Sequence, residues 1–123
     1  MRRHQPEPPP PSLPLQPAVF QILVALADQD RHGYAIMQDV AARTGGSMKL
    51  SPGTLYGSIK RMLDEGLIVE LDERPAPDED DERRRYYRIT ASGRASAQAE
   101  ADRLTTLLRQ ARSVGLTPKR ITS

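Results

Sequence analysis

Residues 16–29, QPAVFQILVALADQ, carry apolar side chains at Val19, Phe20, Ile22, Leu23, Val24, Leu26 and Ala27. Wound into a helix, these cover nearly the whole circumference, and a helix apolar on every side has to be covered on every side. The chain has 123 residues in which to do so. A domain of that size buries only about 60–70% of its unfolded surface. One face of the helix is therefore expected against the domain's own core, and another against a second subunit.

The remaining segments are what must wrap that helix. Residues 1–14 are Pro-rich and are expected to form a disordered or extended arm rather than packed structure. A second helix spans about Tyr34 to Thr44, with Ile36, Met37, Val40 and Ala41 inward, and TGG stops it. After a link through Met48 and Leu50, a third helix runs from Pro52 to Glu65 and ends at Gly66. LIVELDE (67–73) and RRYYRIT (84–90) are rich in β-branched and aromatic residues and are expected to pair as a hairpin with a long tip. The last helix, about Ser92 to Arg112, places Ala97, Ala101, Leu104, Leu108 and Ala111 at alternating spacings of four and three, the seam of a short coiled coil. Residues 113–123 are expected to be a flexible tail. The expected class is mainly α with a small β-hairpin: a winged helix-turn-helix over 15–90, followed by a dimerisation helix over 91–112.

The third helix, SPGTLYGSIKRML, points to a function. Ser51 can cap it, and Pro52 lies where a missing N–H costs nothing. Leu55, Ile59, Met62 and Leu63 form its inward stripe. On the opposite side stand Gly53, Thr54, Gly57, Lys60 and Arg61. An interior Gly costs about 1 kcal/mol relative to Ala, so two of them need a reason. A helix entering a groove only ~12 Å wide is better served by a face without side chains near its positive N-terminal end. Tyr56 is expected at the edge of the core face, its ring packed and its hydroxyl within reach of a phosphate.

Charge agrees with a polyanionic partner. The net charge is +2, yet DERPAPDEDDE (72–82) is almost wholly acidic, so the rest is basic. Arg83, Arg84 and Arg85 follow that acidic run directly and are candidate phosphate contacts at the hairpin. Arg2 and Arg3 add a weaker possibility of the same kind. Double-stranded DNA is the expected partner, with a second copy of the chain. The absence of Cys excludes disulfides and thiolate chemistry. No apolar run reaches the ~20 residues that span a bilayer, and the N-terminus lacks a secretory apolar stretch, so a cytoplasmic location is expected. No converging set of metal ligands or catalytic groups is visible: His4 lies in the arm and His32 in a turn. Neither an enzyme nor a metal site is expected.

The motifs RHGYAIMQDV (31–40), LSPGTLYGSIKRMLDEGLI (50–68) and RRRYYRITASGR (83–94) together resemble the PadR-like transcriptional regulators. The resemblance implies a dimeric winged-helix DNA-binding protein, usually a repressor, that dimerises through its first and last helices. Carried onto this chain, it makes Tyr34 and Tyr56 candidate phosphate contacts and Thr54, Ser58, Lys60 and Arg61 candidate groove or backbone contacts. With Lys49, Ser51, Gly53, Gly57 and Arg83 to Arg85 these form the expected DNA-binding set. Val19, Phe20 and Leu23, with the seam at Ala97, Ala101, Leu104, Leu108 and Ala111, form the expected dimer interface. With no Trp and Phe20 as the one Phe, sensing of a planar aromatic effector finds no support. The alternative is a winged helix used as a protein–protein adaptor, which would need exposed apolar residues on the outer face of the third helix.

Overall fold

The computed structural model describes residues 13–71 and 85–117. Seven elements follow one another: α1 (Pro17–Asp28), β1 (Arg31–His32), α2 (Gly33–Arg43), α3 (Pro52–Asp64), β2 (Ile68–Glu70), β3 (Tyr86–Ile89) and α4 (Ala91–Ser113). The winged helix-turn-helix expected from the sequence is the architecture found. Arm residues 1–12, the acidic run, Arg83, Arg84 and residues 118–123 lie outside the described residues.

α1 is the centre of the molecule. Its Val19, Ile22, Leu23, Ala25 and Leu26 are buried, and they meet Ile36 and Val40 of α2 and Leu55, Ile59 and Met62 of α3. Leu67, Ile68, Tyr87 and Ile89 close the same core from the hairpin. In β3 the alternation sends Tyr87 and Ile89 inward and leaves Arg88 in solvent. Met48 and Leu50, in the link before α3, pack partly against this core.

Three helices end in one way. Gly45, Gly66 and Gly115, all at positive φ, follow the C-caps of α2, α3 and α4. Each donates back into the last turn, and the next residue reaches one further, as Leu67 N–H does to the Met62 carbonyl at 2.9 Å. Leu116 closes α4 on the Ala111 carbonyl in the same manner. The C-terminal segment is thus ordered as a cap through Leu116, further than the tail expected from residue 113.

The sheet has the order β1-β3-β2, all antiparallel, with Arg31 opposite Tyr87 and Ile68 opposite Ile89. β1 is a correction to the expectation that His32 lies in a turn. Two residues are too few to show a period, and only pairing with β3 makes them a strand. His32 has a second task there. Its Nδ1 accepts from the Ala35 N–H at 3.1 Å, so it caps α2, while its ring meets Tyr86 edge-on with centroids 5.2 Å apart.

Three dimer assignments also change. Val19 and Leu23 are 5% and 0% exposed within a single chain, so neither has surface left for a partner. Ala97 packs against the protomer's own core through the first half of α4. The other elements wrap α1 more completely than its length suggested, leaving Phe20 and Val24 half-buried on one flank.

Candidate nucleic-acid interface

α3 is held by its ends and its inner stripe, which frees its outer side. Ser51 Oγ accepts from the Thr54 N–H at 3.1 Å, and Pro52 has no N–H to satisfy. The Gly53 N–H is thereby left as a first-turn donor without an intrahelical partner. Leu55, Ile59 and Met62 anchor the helix in the core, with Leu63 half-buried beside them.

On the far side, a Cβ added to Gly53 or Gly57 would meet nothing within 4 Å. Among the described residues, neither glycine is there to let another part of the chain approach. Thr54, Lys60 and Arg61 are exposed around them, Ser51 and Lys49 are exposed at the N-terminal end, and Ser58 is half-buried. Asp64 is exposed at the C-terminal end of the same face. Arg61 leans to one flank, where it lines a cleft with Leu15 and Glu65.

Tyr56 lies on the other flank and is half exposed, at 51%; Tyr34 is exposed to a similar 53%. The Tyr56 ring covers Gly33, the first residue of α2. The two tyrosines named by the sequence motifs thus belong to one neighbourhood, the junction of α2 with α3. Instead of packing at the edge of the core, Tyr56 packs on bare backbone that a side chain at residue 33 would deny it.

Several cations on β1, α2 and the hairpin are engaged within the protein. Arg31 pairs with Asp28 at 2.8 Å and Asp39 at 3.1 Å, and Arg43 binds the same two acids. Arg88 grips Asp30 through two bonds of 3.1 and 2.7 Å, and that hydrogen bonding raises its guanidinium pKa. Arg85, of the expected wing arginines, reaches Glu70 at 3.4 Å from an exposed position. Lys49, Lys60 and Arg61 have no ion-pair partner among the described residues. Tyr87 is buried in the core, its phenol pushed up by burial first and then by Glu70 and Tyr56.

The seam of α4 divides in two. Gly93, Ser96 and Glu100 face the protomer, whereas Leu104, Leu107 and Leu108 are exposed and Ala101 and Ala111 half-buried. Val114 and Leu116 continue the apolar strip past the helix end. Glu100 escaped the sequence reading: a single acid in a polar helix gives no sign that it will be buried. It accepts the Leu15 N–H at 3.2 Å and two bonds from Arg103 at 3.0 and 2.6 Å.

Among the described residues no helix is long and apolar enough to cross a membrane, and no group of three or more His or carboxylate side chains is placed to hold a metal. A family model described as the transcriptional regulator PadR-like family matches residues 22–99. The chain is 34% identical over 91 residues to a transcriptional regulator of Mycobacterium tuberculosis, covering 74% of this chain and 78% of that one. An uncharacterized protein of Lysinibacillus sphaericus is 35% identical over 74 residues, which is 60% of this chain and 65% of the relative; the match spans just under two thirds of that protein. The solved structure of a PadR family transcription regulator from Clostridium difficile R20291 superposes with a TM-score of 0.66 at 23% identity, covering 79% of this chain and 96% of the other. At that identity the likeness speaks for the fold. Residues 22–99 hold the capped and glycine-faced α3, the tyrosines beside it and the hairpin, and by that match the chain belongs to the PadR-like family of transcriptional regulators.

Proposed function

We propose that the chain is a sequence-specific DNA-binding repressor, acting as a homodimer on a pseudo-palindromic operator whose half-sites lie about one helical turn apart. One observation carries this: the outer face of α3 is bare at Gly53 and Gly57 and rimmed by exposed Thr54, Lys60 and Arg61. A bare first turn lets backbone come close to base edges and phosphates, and the exposed cations suit the phosphates on either side. Tyr34 and Tyr56 supply hydroxyl donors at the α2 end. A protein-binding adaptor would want apolar residues on this face, and the large apolar residues of α3 point into the core instead, Tyr56 excepted.

Dimer formation is assigned to the apolar strip of exposed Leu104, Leu107 and Leu108 and half-buried Ala111, together with half-buried Phe20 and Val24 of α1. Such a strip resembles a two-stranded seam more than a solvated helix face. Binding is tested by titrating the protein onto duplex DNA from upstream of its own gene at rising salt. The logarithm of the affinity is expected to fall linearly with the logarithm of salt concentration. An affinity indifferent to salt would sink the proposal.

A further inference from the structure

The cap that starts α3 also fixes a second hydroxyl. Ser51 Oγ accepts the Thr54 N–H at 3.1 Å and donates its own proton at 3.1 Å to Thr54 Oγ1. A hydroxyl holds one proton and two lone pairs. The Ser51 bond occupies one lone pair of Thr54, while the Thr54 proton meets no acceptor among the described residues. Accepting one bond polarises an O–H and makes it a better donor. Thr54 is thus set to give a hydrogen bond, and its methyl group stands beside the hydroxyl that gives it.

The position of Thr54 says what that bond can meet. It is the third residue of α3, in the turn that a recognition helix presents to base edges. Gly53 precedes it and Gly57 follows one turn later, both bare, so the exposed Thr54 side chain is what projects between them. In the major groove thymine sets an acceptor, O4, next to its ring methyl, whereas cytosine offers an amino donor and no methyl. A donor beside a methyl on the protein therefore matches an acceptor beside a methyl on the base.

We infer that Thr54 reads a thymine in each half-site, its O–H on O4 and its methyl on the thymine methyl, with Ser51 as the positioning residue that sets the polarity of the hydroxyl; this rests on the DNA-binding function proposed above. Ser51 acts through Thr54: by donating to it, the helix cap leaves Thr54 a proton to give.

The test first selects duplexes from a random-sequence pool with the full unaltered chain. Affinities of this chain and of Thr54→Val, Thr54→Ser and Ser51→Asp are then measured by fluorescence anisotropy. The duplexes are the selected one, one with uracil for the thymine, which deletes the methyl, and one with a thymine analogue lacking O4. Both Thr54 changes lie on exposed surface and Asp caps as well as Ser, so all three variants are expected to keep the fold in a thermal melt. For the unaltered chain, loss of O4 is expected to weaken binding about fivefold and loss of the methyl about threefold. Thr54→Val should be indifferent to O4 and Thr54→Ser to the methyl. Ser51→Asp draws the Thr54 proton onto its carboxylate, so it should ignore O4 and still sense the methyl; its added charge weakens binding to all three duplexes alike and cancels in their ratios. A Thr54→Val variant that still senses O4 overturns the inference. So does uniform weakening on every duplex, which assigns the hydroxyl to a phosphate, or the absence of any thymine whose preference depends on Thr54. Ser51→Asp sensing O4 as the unaltered chain does overturns the role of Ser51. If the unaltered chain selects no sequence at all, the sequence-specific function proposed above fails, and the inference falls with it.

Discussion

The Tyr56 ring lies on the α-carbon of Gly33: a Cβ built there would stand 2.9 Å from the Tyr56 Cζ and closer still to its hydroxyl. Gly33→Ala is expected to swing the half-exposed ring away. The ring is the free end of a side chain, so stability should change by less than about 1 kcal/mol, with Ala favouring the helix start. DNA affinity should fall. Melting and DNA titration of this variant, side by side with Tyr56→Phe, separate displacement of the ring from loss of its hydroxyl.

Gly93 presents the opposite case. A Cβ at residue 93 would collide with the Leu67 carbonyl and stand 3.0 Å from the Ile89 Cγ1. Backbone on one side and core on the other leave nothing to yield. Gly93→Ala should destabilise the fold by about 2–3 kcal/mol in denaturant titration. Two Gly→Ala changes in one chain are thus expected to separate stability from binding.

Glu100 predicts a pH dependence. Hydrogen bonds from Arg103, chiefly, and from the Leu15 N–H hold its carboxyl below the usual carboxylate range, against the effect of burial. A lowered folded-state value means that the unfolded chain takes up protons first as pH drops. The stabilisation is complete above the ordinary value near 4.5 and is lost as pH falls through the folded value. Glu100→Gln should lower stability at neutral pH and flatten the stability–pH profile below about 4.5. Urea melts across that window measure both.

Of the contacts proposed on α3, Lys60 gives the cleanest test, because it is exposed and has no ion-pair partner among the described residues. Lys60→Ala should reduce the salt slope of DNA binding by about 0.9 and leave the fold untouched. A change in the circular dichroism melt would mean that the side chain serves the fold instead.

Leu104→Asp/Leu108→Asp charges the exposed half of α4. The double variant is expected to remain folded, since both positions lie outside the core, and to sediment as a monomer. Its melting temperature should lose the concentration dependence expected of the parent dimer.

Much of this was legible in the residues. α3 declared its boundaries through Ser51, Pro52 and Gly66, and its inner stripe through helical spacing. The same spacing put Gly53 and Gly57 on the outside, where the structure leaves them bare. What could not be read depends on partners distant in the chain. β1 exists because two residues meet Tyr86 and Tyr87. Glu100 is buried because Leu15, 85 positions away, supplies a donor. Val19 and Leu23 looked spare on a helical wheel, which shows directions and not what stands in them. For the contact surface itself, the residues show the chemistry of each side chain but not how firmly each cation is engaged: Arg88 is locked to Asp30 by two bonds, whereas Arg85 only reaches Glu70 at 3.4 Å.

The collision that Gly93 narrowly avoids with Leu67 has a mechanical consequence. With Thr90 also bonded to the Gly66 carbonyl at 2.7 Å, the base of α4 is keyed to the turn that ends α3. Residues 104–113 then form a handle about 15 Å long, rigidly joined to the reading head. In the proposed dimer, whatever grips that handle would set the distance and tilt at which two such heads are offered to a duplex, so the spacing such a dimer tolerates would be written in its last helix.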